Sequence, residues 1–342
     1  MVLVYLRQHS MNVFTCGSDN SRYCFGRVMM GDMSTKQLIL MSLFLLTCLV
    51  GFVYRQQVKI NPTYADVRYG KFDRNVFDFW ETPTATKEKP APLLVYYHGG
   101  GWLDGDKGAF NPKIWLQHGV SVASVNYRFT KGHKDAAPYP APMQDSARAL
   151  QYIRSNARGW NIDPERIVIS GSSAGAVIAL WIGLQDDMKN LESKDPIERI
   201  STRVNCLLPV DAPTTLNPKL IAERIGGSPK IHPALLPFFG TKSLEALEEP
   251  EFAEKVAAAD PFTYISADDP PTYCLFNLPM TETPLPADAD VNISIHHPEF
   301  GVYLKEKLEA VDVECEVQWK GDGKNGSEAV LWVLDKLGMN KE

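Results

Sequence analysis

The sequence predicts an α/β fold in which helices cover both faces of a mainly parallel sheet. After residue 60, short runs rich in β-branched and aromatic residues alternate with helical periodicities, the pattern of strand–helix–strand units. Glycine-rich turns stand directly behind two of those runs, and the rhythm breaks once, between Asp211 and Asp269.

In chain order, residues 75–80 (NVFDFW), 92–97 (PLLVYY) and 120–127 (VSVASVNY) read as strands. A helix follows over 143–156, with Ala147, Leu150 and Ile153 on one face. Residues 166–170 (RIVIS) form a short buried strand, and 174–184 an apolar helix. Further strands fall at 204–210, 272–277 and 313–319, the last flanked by helices over 298–311 and 327–337. Strands that read as nearly continuous apolar runs belong to a sheet buried on both faces. The stretch from 211 to 269 holds shorter helical pieces, such as 219–225 and 243–259, among scattered Pro and Gly. Lying between two sheet strands, it reads as a cap inserted into one domain, not a domain of its own. The chain therefore divides into an N-terminal segment, 1–60, and an α/β domain, 61–342.

Composition narrows the function classes. The 342 residues are 44% apolar and 22% charged, with 24 Gly and 24 Pro, which excludes a disordered chain or a collagen-like repeat. Net charge is −6, and residues 1–60 are net basic, so the α/β domain is clearly acidic. Without a basic cluster, nucleic acid is not an expected partner. Cys206, Cys274 and Cys315 each lie inside a strand-like run and no CxxC occurs. They read as small hydrophobes, not as disulfides or metal ligands, and neither a metal nor another cofactor is expected.

Residues 37–54 (QLILMSLFLLTCLVGFVY) carry no charge, with Lys36 before them and Arg55 after. As a helix they would span about 27 Å, close to the hydrocarbon thickness of a bilayer. This stretch is expected to act as a signal peptide or an uncleaved membrane anchor, delivering the α/β domain to the periplasmic or extracellular side.

Two motifs carry chemistry. Gly171-Ser172-Ser173-Ala174-Gly175 fits G-x-S-x-G between the strand RIVIS and an apolar helix. A serine on such a sharp turn projects its hydroxyl above the sheet, in front of a helix N-terminus with free N–H groups. His98-Gly99-Gly100-Gly101-Trp102 follows the strand PLLVYY. Its glycines let backbone N–H groups approach a developing oxyanion. No Lys-Ser/Thr follows at the spacing of a phosphate-binding loop.

With HGGGW followed by GSSAG, the chain from about 62 to 340 resembles the α/β-hydrolase fold. The branch is that of hormone-sensitive-lipase-like and feruloyl- or acetyl-esterase-like carboxylesterases. Asp66-Val67-Arg68-Tyr69-Gly70, Val125-Asn126-Tyr127-Arg128 and the helix entry from Pro140 to Asp145 support the likeness. The resemblance implies an eight-stranded sheet and Ser173 as nucleophile. It implies an oxyanion hole from the N–H groups of Gly100, Gly101 and Ala174, and a loop-bracing role for His98. The substrate would be a small-molecule or carbohydrate-linked ester.

The family also places an acid after the strand 272–277 and a histidine after 313–319. Here that second loop, 320–326, has Lys324 and Asn325 where the histidine belongs, and no histidine follows His297. His296-His297, at the entry to the helix 298–311, offers a relocated base, and His297 is taken as its carrier. His133 and His232 lie on loops that could cover the pocket. For the acid, Glu282 is nearest the usual place; Asp288 and Asp290 lie further along the same loop, and Asp211 ends the preceding strand. Two rival readings remain open: a catalytically degenerate fold that keeps a ligand pocket, resting on the missing histidine, and a membrane-tethered interaction module, resting only on residues 37–54.

Overall fold

The computed structural model describes residues 3–7, 10–15, 24–29, 60–227, 234–243 and 245–339. The chain divides into two units, Met1–Lys59 and Ile60–Glu342. In the first, β1 (Leu3–Arg7), β2 (Ser10–Thr15) and β3 (Cys24–Met29) pair antiparallel in that order. The stretch 37–54 lies outside the described residues. Among the described residues no helix is long and apolar enough to cross a membrane.

The second unit is built on eight strands: β4 (Tyr64–Arg68), β5 (Val76–Trp80), β6 (Ala91–Tyr97), β7 (Ser121–Val125), β8 (Ile162–Ser172), β9 (Cys206–Val210), β10 (Thr272–Phe276) and β11 (Cys315–Trp319). Their order is β11-β10-β9-β8-β6-β7-β5-β4. Only β4 with β5 and β5 with β7 run antiparallel. The edge strand β4 is mostly exposed, so it lacks the apolar run by which the other seven strands are read.

Strand alternation sorts the core into two layers. Leu93, Val95 and Tyr97 of β6 and Ile167 and Ile169 of β8 face one side, where they meet α2 (Ala141–Ser155), α3 (Ala174–Leu184) and α8 (Glu299–Glu309). Leu94 and Val168 face the other, against α1 (Lys113–Gln117) and α9 (Ser327–Lys336). Cys206, Cys274 and Cys315 are buried free thiols.

Between β9 and β10 run α4 (Pro218–Arg224), α5 (Leu235–Phe239), a 3-10 turn (Glu245–Glu248) and α6 (Pro250–Ala259). The single helix expected over 243–259 is divided because Pro250 has no N–H to donate. Proline is tolerated only in a first turn, so a new helix starts there. The insertion covers the HGGGW loop: Phe238 is fully buried, with its ring 4.1 Å from that of Trp102. Trp181 Nε1 and the Tyr139 hydroxyl both donate to Ala258 O, tying α6 to α3 and to the turn before α2.

Candidate active site

The GSSAG turn is held by steric necessity. Ser173 has φ 53° and ψ −117°, a left-handed conformation that non-glycine residues rarely adopt. A Cβ at Gly171 would lie 2.2 Å from Gly175 O, and one at Gly175 would lie 2.0 Å from Tyr97 O. Both positions must therefore be glycine for the turn to pack against β6. The amide of Ser173 donates to Val210 O at 2.9 Å, and its carbonyl accepts from Ala176 N, opening α3. Ala174 is the first residue of that helix, so its N–H has no partner within it.

The HGGGW loop lies against this turn: a Cβ at Gly99 would come within 3.4 Å of Ser173 Cβ. Gly100 and Gly101 have φ of 101° and 61°. The Gly100 carbonyl turns back to accept from Leu103 N and Asp104 N, whereas the amides of Gly100 and Gly101 donate to no backbone acceptor. The loop is braced from behind by His98. Arg74 Nη2 donates to His98 Nε2 at 3.0 Å, and His98 Nδ1 donates to Gly99 O at 2.8 Å. An arginine can only donate, so this pairing fixes the proton of His98 on Nδ1. Burial pushes the imidazole down to about 4, with the Arg74 charge adding to the effect and the Gly99 carbonyl opposing it. His98 is therefore neutral and turned toward Arg74.

The base candidate comes from a short helix, α7 (Val291–Ile295), whose C-cap is His296. His296 Nε2 lies 2.9 Å from Ser173 Oγ, and its Nδ1 lies 2.9 Å from Asn292 Oδ1, one turn back. Burial lowers the His296 imidazole below its usual range; the nearby Asp211 carboxylate and a hydrogen bond to the Asn292 backbone carbonyl partly offset this. Asp290 caps α7 by accepting from Asn292 N and Ile293 N. The preceding loop is pinned to the insertion by Leu285 N to Ile225 O at 2.7 Å and Gly227 N to Leu285 O at 2.8 Å. Gly227, at φ 84°, leaves room for Ser294: a Cβ there would sit 2.6 Å from the Ser294 hydroxyl oxygen.

A serine on a strand-to-helix turn, a glycine loop packed against it and an imidazole on its hydroxyl form one constellation. The BD-FAE family model matches residues 80–277, more than half of the chain. The chain belongs to the BD-FAE family. Among curated relatives, it is 28% identical over 229 residues to the probable carboxylic ester hydrolase LipM of Mycobacterium tuberculosis, covering 64% of this chain and 49% of that protein. It is 27% identical over 267 residues to a versiconal hemiacetal acetate esterase of Dothistroma septosporum, covering 74% and 70%. The chain spans about half the length, or less, of the first curated relatives it matches. Among solved structures, a truncated carbohydrate esterase from gut microbiota superposes with a TM-score of 0.64 at 17% identity, covering 82% of this chain and 98% of that one. An acetyl ester-xyloside bifunctional hydrolase from Caldicellulosiruptor lactoaceticus gives 0.59 at 20%, covering 82% and 98%. These likenesses show the α/β-hydrolase fold.

In this BD-FAE member, the histidine against Ser173 is His296, not the expected His297. Consecutive residues at a helix end point about 100° apart, so only one of the pair can face the serine. His297 turns inward and is fully buried. Its Nδ1 accepts from Glu299 N at 3.1 Å, which leaves Nε2 to donate to Thr281 Oγ1 at 2.8 Å. Its ring accepts the first N–H of α8 and braces the loop.

The acid expectation fails in the same region. Glu282 is exposed, and the partner of His296 Nδ1 is an amide, not a carboxylate. Asp288 is exposed, Asp290 is spent on its cap, and Asp211 binds Asn277 through both oxygens at 2.7 Å. His133 Nδ1 accepts from Asp135 N, while His232 lies outside the described residues. Lys324 pairs with Glu316, and Asn325 Oδ1 accepts from Ser327 N. Asn292 was the functional candidate missed. Its available signal was the Asp-x-Asn-x-x-x-His spacing, in which a capping Asp opens a turn that puts residues i and i+4 on one face.

Proposed function

We propose that the chain is a serine hydrolase that cleaves carboxylic esters of small or carbohydrate-linked acyl groups through an acyl-enzyme on Ser173. The observation that carries this reading is the 2.9 Å approach of His296 Nε2 to Ser173 Oγ. In that arrangement His296 takes the hydroxyl proton as Oγ attacks the ester carbonyl carbon. The carbonyl oxygen becomes an oxyanion facing the N–H groups of Gly100, Gly101 and Ala174. Collapse of the tetrahedral intermediate breaks the bond to the alcohol, which leaves with the proton from His296. Water then attacks the acyl-enzyme with His296 again as base, releasing the acid and restoring Ser173.

Relatives named as esterases support the reaction class, and the acetate ester in one of those names supports a short acyl group. The degenerate-fold reading rests on the histidine missing from loop 320–326; an imidazole reaching Ser173 from α7 weighs against it. Ser173→Ala should abolish turnover of p-nitrophenyl acetate while leaving the folded state intact, and unchanged turnover in that variant would overturn the assignment. We further propose, from the uncharged stretch 37–54, that the catalytic unit works on the periplasmic or extracellular side, released or tethered. Fractionation of the full-length protein with antibodies to both ends tests this. Recovery in the cytosol with an intact N-terminus would contradict it.

A further inference from the structure

We propose that Asn292 is the positioning residue for His296, so that a neutral amide takes the place in which serine hydrolases of this fold hold a carboxylate. The inference rests on the reading of Ser173 and His296 as nucleophile and base, and concerns how that base is aimed.

Asn292 and His296 stand four residues apart, on one face of a single helical turn. The Asn292 Oδ1 to His296 Nδ1 distance of 2.9 Å is that of a good hydrogen bond. An amide oxygen only accepts, so in this contact the proton sits on Nδ1 and the Nε2 lone pair faces Ser173 Oγ. That is the tautomer a general base needs. The opposite amide orientation would place an N–H against Nδ1 and move the ring proton to Nε2, where it could not accept from the serine. Asn292 is exposed, so nothing buried forces that second orientation, and its Nδ2 can remain in water.

The carboxylates nearby do not compete for Nδ1. Asp290 accepts from the first N–H groups of α7. Asp211 follows Val210, whose carbonyl holds the Ser173 amide, and is engaged by Asn277. Asp211 favours the charged imidazole through space without orienting it. Orientation and charge compensation, joined in one carboxylate in the usual triad, are thus divided between Asn292 and Asp211. The backbone carbonyl of Asn292 accepts from His296 N and also favours the charged imidazole; it persists in any variant at this position, so substitution reads the side chain's contribution alone.

The experiment compares the wild type with Asn292→Ala, Asn292→Asp and His296→Ala in p-nitrophenyl acetate hydrolysis, resolving kcat from KM across pH. Losing the carboxylate that orients a triad histidine costs about 10⁴-fold, and a neutral amide, which orients without compensating charge, is expected to be worth less, about 10–100-fold, the scale seen for orienting partners of metal-bound histidines. Asn292→Ala should lose kcat on that scale with KM little changed. Asn292→Asp should recover or exceed the wild-type kcat and move the acidic limb of the profile to higher pH, because a carboxylate stabilises the imidazolium. Wild-type kcat in Asn292→Ala, or an unshifted acidic limb in Asn292→Asp, would overturn the inference. If those results accompany an inactive His296→Ala, the serine–histidine reading stands and only the role of Asn292 falls. A fully active His296→Ala would overturn both.

Discussion

The nucleophile side of the site and the base side are held by different physics. On the nucleophile side, backbone meets backbone: the Cβ positions of Gly171, Gly175 and Gly100 are occupied by main-chain atoms, Gly175 O of the same turn at 2.2 Å, Tyr97 O of β6 at 2.0 Å and Asp104 O of the same loop at 2.3 Å. Only one residue type fits each place, and the geometry follows from β6, β8 and α3, which are buried on both sides of the sheet. On the base side, one helical turn ending at His296 projects a single imidazole, and its partner is an exposed amide. That turn is located by an aspartate cap, two hydrogen bonds to the insertion and the space over Gly227. The geometry of the site thus rests on a rigid half whose glycines admit no side chain and a half that is specified by a few contacts.

The difference can be probed most strongly at the base itself. His296→Ala should lower kcat/KM for p-nitrophenyl acetate by about 10²–10⁴-fold, some 3–5 kcal/mol of barrier, with little change in thermal stability. A loss of stability without a loss of rate would reverse the roles assigned to the two histidines. Next comes acid sensitivity of the oxyanion loop. His98 is held near 4 in the folded protein against about 6.5 unfolded. The unfolded chain therefore binds more protons between those values, and stability should fall as pH drops from 6.5 to 4, by up to ~3 kcal/mol. Asp269, raised by burial to about 6, works in the opposite sense. Urea unfolding at pH 4.5 and 7 should show a smaller pH dependence in His98→Gln than in the wild type; an equal dependence would remove His98 as its source.

His297→Ala should act on the fold more than on the chemistry. Removing a buried ring leaves Glu299 N–H and the Thr281 hydroxyl without a partner, a cost of about 1–3 kcal/mol. Thermal unfolding should register that loss, while kcat stays within a few-fold of wild type. The smallest effect belongs to Asn325→His. The loop 320–326 is engaged with Glu316 and Ser327, and His296 already occupies the position beside Ser173. Activity should hardly change; a large gain would mean that the base in the native chain is deficient and that the usual loop is the better place for it.

These two halves also mark what could be read in the residues. Seven of the eight strands in the main sheet were legible because nearly continuous apolar runs fill both of its faces, and α3 matched the expected 174–184. The glycine motifs could be placed because steric exclusion leaves a permanent mark on sequence. The base-bearing turn left a weaker one. Five residues flanked by prolines and aspartates read as loop, and nothing in a His-His pair tells which ring turns outward. That choice depends on where Glu299 N–H and Thr281 lie once α8 has packed. The acid was misplaced for a related reason. A carboxylate was sought because the reaction usually employs one, while the contact was made by an amide four residues before the base.

Labelling of Ser173 by a fluorophosphonate measures activation of the nucleophile most directly, because it needs neither the natural substrate nor deacylation. Second-order labelling rates should be taken for the wild type, His296→Ala and His297→Ala at neutral pH. Activation of Ser173 by His296 predicts labelling at least ~10²-fold slower in His296→Ala and close to wild type in His297→Ala. Equal rates in all three proteins, or selective loss in His297→Ala, would contradict it.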